Sequence, residues 1–457
     1  MIEIAPERMA EVMAATVLSR GGEGPPARAE FDSRLVEGGE LFFGLRGESD
    51  DGGRFAPGAL GAGAWGVVAT PDHAAAAVGS AGPDGDGAWV FAAVDPLVAM
   101  QNLATEWRRE LGATVVGITG SVGKTSVKDI TRALLPGTVH ASPENFNTEV
   151  GLPLTILSAP AGTETLVLEM AMRGSGQIAE LARIGEPDVG VITCVGPVHI
   201  ELLGSIEAIA ATKAEMIGGV KPGSPVIVPM QAGHLEPHLE GVQNVVRFGP
   251  GGAVELVSAE RTESGIEARI RTSYGEQDFL FPFTEDHNVV NALTAIAIGI
   301  AVGADPAGMA TRTSRIGFSK LRGEHFETGG GALVINDSYN ANPVSMRAAL
   351  DYLAGLDRSH RIAVMGLMAE LGPGTESYHA EIGTHARDIG IDVLIGVGQV
   401  AAGYGPDHLV ADPAEAAELL LTMIGPDSAV LVKGSRSAGL EAVAEELSGD
   451  TGTGGGS

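Results

Sequence analysis

The sequence has one cysteine, few cations and no long apolar run. A single cysteine, Cys194, in 457 residues excludes an internal disulfide and a cysteine-built metal cluster, and it suits a reducing compartment. Lys and Arg number 29 against 58 Asp and Glu, a net charge of −29. A surface of that sign argues against nucleic acid or an anionic membrane as the main partner. Any anionic substrate must be met by locally concentrated Lys, Arg and helix N-termini. The most apolar stretch, VVNALTAIAIGIAVGA at 289–304, is shorter than the ~20 residues that span a bilayer and predicts a buried helix. The N-terminal MIEIAPERMAEVM is acidic and lacks the basic-then-apolar order of a signal peptide, so a cytoplasmic chain without a membrane span is expected.

At 44% hydrophobic residues the chain can fill proper cores, and its length predicts two or three domains. Residues 1–110 read as a small α/β unit, with strand-like segments in FDSRLVEGGELFFGLRG (31–47) and a glycine-rich loop at 79–88. From 111 to about 320, apolar strands alternate with helices: ATVV, TLVLEMAM (165–172), DVGVITCV (188–195) and PVIVPM (225–230). Such alternation predicts a parallel sheet covered by helices on both faces. Residues 321–447 repeat it with ALVIND, RIAVMG, DVLIGVG and AVLVKG, a dinucleotide-type α/β fold without its phosphate fingerprint. SGDTGTGGGS (448–457) reads as a flexible tail.

The chemistry concentrates in GITGSVGKTS (117–126), set between a β-branched strand and a helical pattern. Gly117, Gly120 and Gly123 lack a Cβ, so the backbone of the loop through Ser121 and Val122 can turn its N–H groups onto phosphate oxygens. The following helix, opening at Lys124–Thr125–Ser126, adds its free N–H groups and dipole. Lys124 can reach β- and γ-phosphates, and the Thr125 hydroxyl can ligate Mg²⁺. The spacing is G-x-x-G-x-x-G-K-T, with Ile118 where the common loop has glycine. The loop alone leaves open whether phosphates serve motion, transfer or switching.

The ordered set of this loop with ENFNTEVGLPLTIL (144–157), NDSYNANPVSM (336–346), MGLMAELG (365–372) and VKGSR (432–436) resembles the Mur ligases, ATP-dependent amide-forming enzymes of peptidoglycan synthesis. The resemblance spans nearly the whole chain and is sharpest for the branch that joins D-alanyl-D-alanine to UDP-N-acetylmuramoyl-tripeptide. It implies three domains: 1–110 for the UDP-sugar, 111–320 a P-loop ATPase-like unit, and 321–447 a Rossmann-like ligase unit. It also implies that ATP phosphorylates the peptide carboxylate and that an amine then displaces phosphate. The chain is expected to act as a monomer.

Glu169 closes a buried strand at the edge where α/β sheets place ligands, and the family pattern makes it a Mg²⁺ ligand. His199 resembles the family's ligand to a second Mg²⁺, although a lone His after a strand is by itself an ordinary loop residue. Lys213, beside Glu215 on a helical pattern, reads by default as a solvated lysine; the resemblance implies a carbamate, formed with CO₂, that ligates Mg²⁺. Asn288 and Asn291 share a helix face and resemble nucleotide-binding asparagines. Arg322 matches the arginine that reaches ATP phosphates from the third domain. Asp337, Asn340 and Asn342 are candidates for the ATP-facing edge, or an Asx-rich turn before Pro343. Ser33, Arg34 and Arg46, with Arg54, resemble the block that holds the UDP-sugar diphosphate, or are surface arginines.

Four positions depart from the family pattern: Leu367, Ala171, Cys194 and Gly53. None is expected to touch the phosphate and magnesium residues. Two other readings compete, a sister ligase of folylpolyglutamate-synthase type that adds another amine, and a nucleotide-binding regulator without turnover.

Overall fold

The structure, a computed structural model, describes residues 3–48, 50–83 and 87–449. Part of the loop at 79–88 and residues 450–457 of the glycine-rich tail lie outside the described residues.

Three mixed or parallel sheets follow one another along the chain. The first has strand order 16–19, 89–92, 66–69, 41–43, 29–30, parallel except for the first pair. The second has order 245–248, 226–229, 189–192, 114–119, 165–169, 139–141, and is parallel throughout. Its four inner strands are largely buried and rich in Val, Ile and Leu because helices cover both faces. The third has order 324–327, 333–336, 428–433, 360–365, 393–397, 408–410, with only the first pair antiparallel.

The second sheet positions the site. Strand Thr114–Thr119 pairs with Thr165–Glu169 on one side and Val189–Ile192 on the other. The chain passes from it to one side of the sheet first and to the other side later. That reversal opens a crevice at the carboxyl ends of the strands, where ligands of such sheets bind. The apolar stretch at 289–304 falls in the buried helix Asp286–Ala301, which packs against the phosphate-loop helix Lys124–Leu134. No helix among the described residues is long and apolar enough to cross a membrane.

A three-stranded antiparallel sheet, Glu255–Thr262, Gly265–Thr272 and Gly275–Phe281, interrupts the α/β alternation. The sequence reading did not include it. Its signal is plain in GIEARIRT, where Ile266, Ala268 and Ile270 are buried and Glu267, Arg269 and Arg271 are exposed. Helix Pro96–Leu111 ties the first sheet's unit to the second. Trp107 Nε1 donates to the Ala159 carbonyl at 3.1 Å, and the Arg108 guanidinium donates to the carbonyls of Gly185 and Glu186.

Candidate active site

Two glycines of the phosphate loop adopt positive φ where a side chain would collide with its neighbours. Gly120 has φ +149°, and a Cβ there would lie 1.9 Å from Thr193 Oγ1. Gly123, at φ +87°, would carry its Cβ 2.5 Å from Asn291 Oδ1. Each therefore lets a neighbouring element close onto the loop backbone. Thr193 Oγ1 donates to the Val122 carbonyl, and Ser121 N donates to the Cys194 carbonyl at 2.9 Å, so the end of strand Val189–Ile192 fixes the loop. Lys124 Nζ donates back to the Gly120 carbonyl at 2.8 Å. Burial pushes the Lys124 ammonium below its ordinary pKa, against the opposing pull of Glu169.

Glu169 is buried, and its two oxygens accept from neutral donors, Thr125 Oγ1 at 2.9 Å and Asn147 Nδ2 at 2.8 Å. A buried carboxylate without a cation is unfavourable, so this pair of hard oxygens, Thr125 and Glu169, suits a small divalent cation. No three His, Cys, Asp or Glu side chains among the described residues form a metal cage.

Lys213 is 2% exposed, which overturns its default reading as a solvated lysine. In helix Ile206–Gly219 it lies on the stripe Ile209, Ala210, Thr212, Met216 that faces the core. It has no hydrogen-bond or ion-pair partner among the described residues. Glu215 turns elsewhere, accepting from the N–H groups of Gly176 and Ala179 at the start of helix Gln177–Gly185. Burial first, and the Lys124 charge second, hold the Lys213 amine well below its ordinary pKa. His199, in a left-handed conformation (φ +56°), bonds through Nδ1 to the Glu370 carboxylate of the third unit. Burial also lowers the His199 pKa, with Glu370 opposing.

A cavity of about 330 Å³ between the second and third units collects most of the remaining predicted residues. Ser121 to Ser126, Asn288 and Asn291 line it from the second unit, and Arg322, Asp337, Asn340 and Asn342 from the third. Asn291 Nδ2 donates to Asn288 Oδ1 at 2.9 Å, as expected of two residues on one helix face. The Arg322 guanidinium stacks 4.1 Å over the Tyr339 ring. Asp337 is paired with the buried Lys433 at 2.5 Å, and Lys433 also donates to the Asn340 carbonyl. Asn342 is also the turn residue its sequence suggests: Oδ1 accepts from Ser345 N and caps helix Pro343–Ala354.

Ser33, Arg34 and Arg46 are not drawn to this cavity. Ser33 and Arg34 lie in a short turn of helix at Ser33–Leu35, and Arg34 and Arg46 pair at the surface with Asp32 and Asp51. One expectation fails. Cys194 does touch the phosphate residues: its thiol lies 3.6 Å from the Val122 carbonyl and lines the cavity. Strand Val189–Ile192 stops short of it, so its side chain turns onto the loop. Sequence reasoning also left Asn147, Glu370 and Lys433 without roles, although each lies inside a motif quoted for the family resemblance.

Two family models match the chain, the Mur ligase middle domain over residues 118–299 and the Mur ligase glutamate ligase domain over 321–436. A Synechocystis relative named UDP-N-acetylmuramoyl-tripeptide–D-alanyl-D-alanine ligase is 33% identical, covering 91% of this chain and 90% of its own. One of the same name from Mycobacterium tuberculosis is 35% identical over 98% of both. Among solved structures, MurF from Acinetobacter baumannii superposes with a TM-score of 0.85 at 26% identity, covering 97% of this chain and 98% of its own. MurF of Thermotoga maritima, solved in complex with ADP, gives 0.80 at 28% identity, covering 93% and 97%. A folylpolyglutamate synthase from Mycobacterium tuberculosis shares the fold alone, at 17% identity and a TM-score of 0.63. With a phosphate loop on the second sheet and a cavity shared between that loop and the third unit, the chain belongs to the Mur ligase family, in its MurF branch.

Proposed function

We propose that the chain joins D-alanyl-D-alanine to UDP-N-acetylmuramoyl-tripeptide with consumption of ATP. The observation that carries this reading is the joint construction of the nucleotide cavity. The second unit supplies Lys124 and Thr125, the third supplies Arg322 and the Asp337–Lys433 pair, and neither completes the site alone. A carboxylate attacking the γ-phosphate brings two anions together, and cations at fixed positions offset that repulsion. Lys124 and Arg322 serve this role, while the loop N–H groups hold the remaining phosphate oxygens. The acyl phosphate must be kept from water, which favours reaction with the third unit closed over the second.

Thr125 and Glu169 would hold one Mg²⁺, and His199 with a carbamylated Lys213 a second; such ions neutralise phosphate charge as it is transferred. Burial and the lack of a partner favour the neutral Lys213 amine that carbamylation needs. We read residues 1–110 as the UDP-sugar domain, with Ser33, Arg34 and Arg46 at the diphosphate, 111–320 as the ATP domain and 321–447 as the ligase domain. Asn288 and Asn291 face the adenosine end of ATP, and Asp337, Asn340 and Asn342 line its edge. The chain is read as a monomer, and its use of ATP fits the cytoplasm.

The test offers D-alanyl-D-alanine, single D- and L-amino acids and glutamate in parallel, with a panel of UDP-muramoyl peptides, and measures ADP release. ADP should form only when UDP-N-acetylmuramoyl-tripeptide and the dipeptide are both present. Ligation of a single amino acid in place of the dipeptide makes the chain a sister ligase.

A further inference from the structure

Residues 316–323 join the second unit to the third, and each end of this linker is anchored. Ile316 and Phe318 pack on the second unit's core, the Phe318 and Phe283 ring centres lying 5.9 Å apart. Glu324 already belongs to the third sheet, where it pairs with Asn336. Between them, Ser319 is tied to the phosphate-loop helix Lys124–Leu134. Its backbone N–H and its hydroxyl both donate to Asp129 Oδ2 at 2.9 Å. Asp129 is buried, and its other oxygen lies 3.2 Å from Lys128 Nζ, which also donates to the Ser142 carbonyl at 2.9 Å. Partners on both oxygens thus fix this carboxylate on the helix that opens with Lys124 and Thr125. Beyond the tie, Leu321 and Gly323 take left-handed backbone, at φ +62° and +66°. Leu321 has a side chain, so this conformation persists only because its surroundings enforce it. Ser319 holds the chain before it, and the Leu321 carbonyl accepts from Tyr339 N at 3.2 Å. The kink carries Arg322, which stacks on Tyr339 and lines the cavity together with Lys124. After burial, the Arg322 charge is the other influence that lowers the Lys124 pKa, so the two cations face one space.

We propose that Asp129 and Ser319 are positioning residues for phosphoryl transfer, which register the linker so that Arg322 meets Lys124 across the cavity. This rests on the ligase reading above, in which both cations stabilise the transferring phosphate. The tie is made to the same helix that carries Lys124, about 7.5 Å further along its axis, so loop and linker move as one body. Arg322 follows Ser319 within a reach of about 10 Å even at full extension, so the tie limits where the guanidinium can go. Apolar contacts of Ile316 and Phe318 alone would hold the linker without fixing its register. Two hydrogen bonds to one buried oxygen fix it, because they are directional.

Steady-state kinetics of the full chain tests this with Ser319→Ala, Ser319→Thr, Arg322→Ala and the double variant Ser319→Ala with Arg322→Ala. Ser319 is half-buried and Ser319→Ala removes only its hydroxyl, so the variant should fold. It loses one hydrogen bond to a carboxylate, which should lower kcat about tenfold and leave the KM for ATP within about twofold. Ser319→Thr keeps the hydroxyl and should restore kcat to near the wild-type value. In the Arg322→Ala background, Ser319→Ala should cost less than about twofold, because the residue it acts through is gone. A merely structural role would instead lower kcat by the same factor in both backgrounds. Losses that multiply in the double variant, or a wild-type kcat in Ser319→Ala, overturn the positioning role while leaving the ligase reading intact. A wild type that consumes no ATP with UDP-N-acetylmuramoyl-tripeptide and the dipeptide overturns that reading and the positioning role with it.

Discussion

Two sets of cations occupy opposite environments in this molecule. Lys213 of the second unit is 2% exposed and has no acidic partner. Arg34, Arg46 and Arg54 of the first unit keep 79%, 72% and 55% of their side chains exposed, and each is paired with an aspartate. A buried cation with no partner persists only if it gives up its charge or if a ligand brings the opposite one. Exposed pairs are held weakly and exchange readily for water or for a substrate oxygen. The first arrangement is a buried amine without a counter-charge, the second a set of surface pairs open to water.

The sharpest way to break this contrast is to remove Lys213. Lys213→Ala should reduce ligation to background, and a short carboxylic acid in excess should restore part of it by replacing the missing oxygen ligand. Lys213→Arg, which cannot form the carbamate, should stay inactive; full activity would return Lys213 to the class of ordinary lysines. The pH dependence has a definite sign. Because burial lowers the Lys213 pKa, the neutral amine at pH 8 exceeds the fraction below about 1% found for an ordinary lysine. Enzyme depleted of CO₂ at pH 6 should therefore regain activity when CO₂ is returned, more completely at higher pH for a fixed concentration of dissolved CO₂, because carbamylation consumes the neutral amine and releases a proton. Activity indifferent to bicarbonate at every pH counts against the carbamate.

Lys124→Ala comes next. Lys124 bonds only within the phosphate loop, so the variant should fold, as judged by circular dichroism and melting temperature. Turnover should fall by about 10²–10³-fold or more, as for other groups that stabilise a transferring phosphoryl. Near wild-type ligation by the folded variant would remove the basis of the mechanism. The smallest effect belongs to the first unit. Arg34→Ala should raise the KM for the UDP-muramoyl peptide several-fold, leaving the KM for ATP and the melting temperature unchanged. An equal rise in both KM values would mean that Arg34 acts on the fold rather than on the diphosphate.

Much of the site was legible before any coordinates. The phosphate loop is a local device in which strand, glycines and helix start are contiguous, so period and composition expose it. Glu169 was legible because a buried run ending in a carboxylate is itself a local pattern. The sheet at 255–281 is equally local, since its period-two alternation needs no tertiary information. The bonds of Asn147 to Glu169, Lys433 to Asp337 and Glu370 to His199 join residues 22, 96 and 171 apart in sequence. No periodicity encodes such pairings.

Composition and local pattern were thus enough to settle the kind of protein: a nucleotide-loop α/β chain with a carboxylate beside the loop. Burial and partnership were settled by folding alone. Lys213 looks like any helical lysine until the helix places it on the stripe between Ile209 and Met216. Cys194 looks remote from phosphate until its strand ends against Val122. Charge state follows from desolvation and from neighbours, and both depend on which distant segments pack together. The buried amine, the bonded histidine and the cavity beside Thr125 therefore exist only in the tertiary structure.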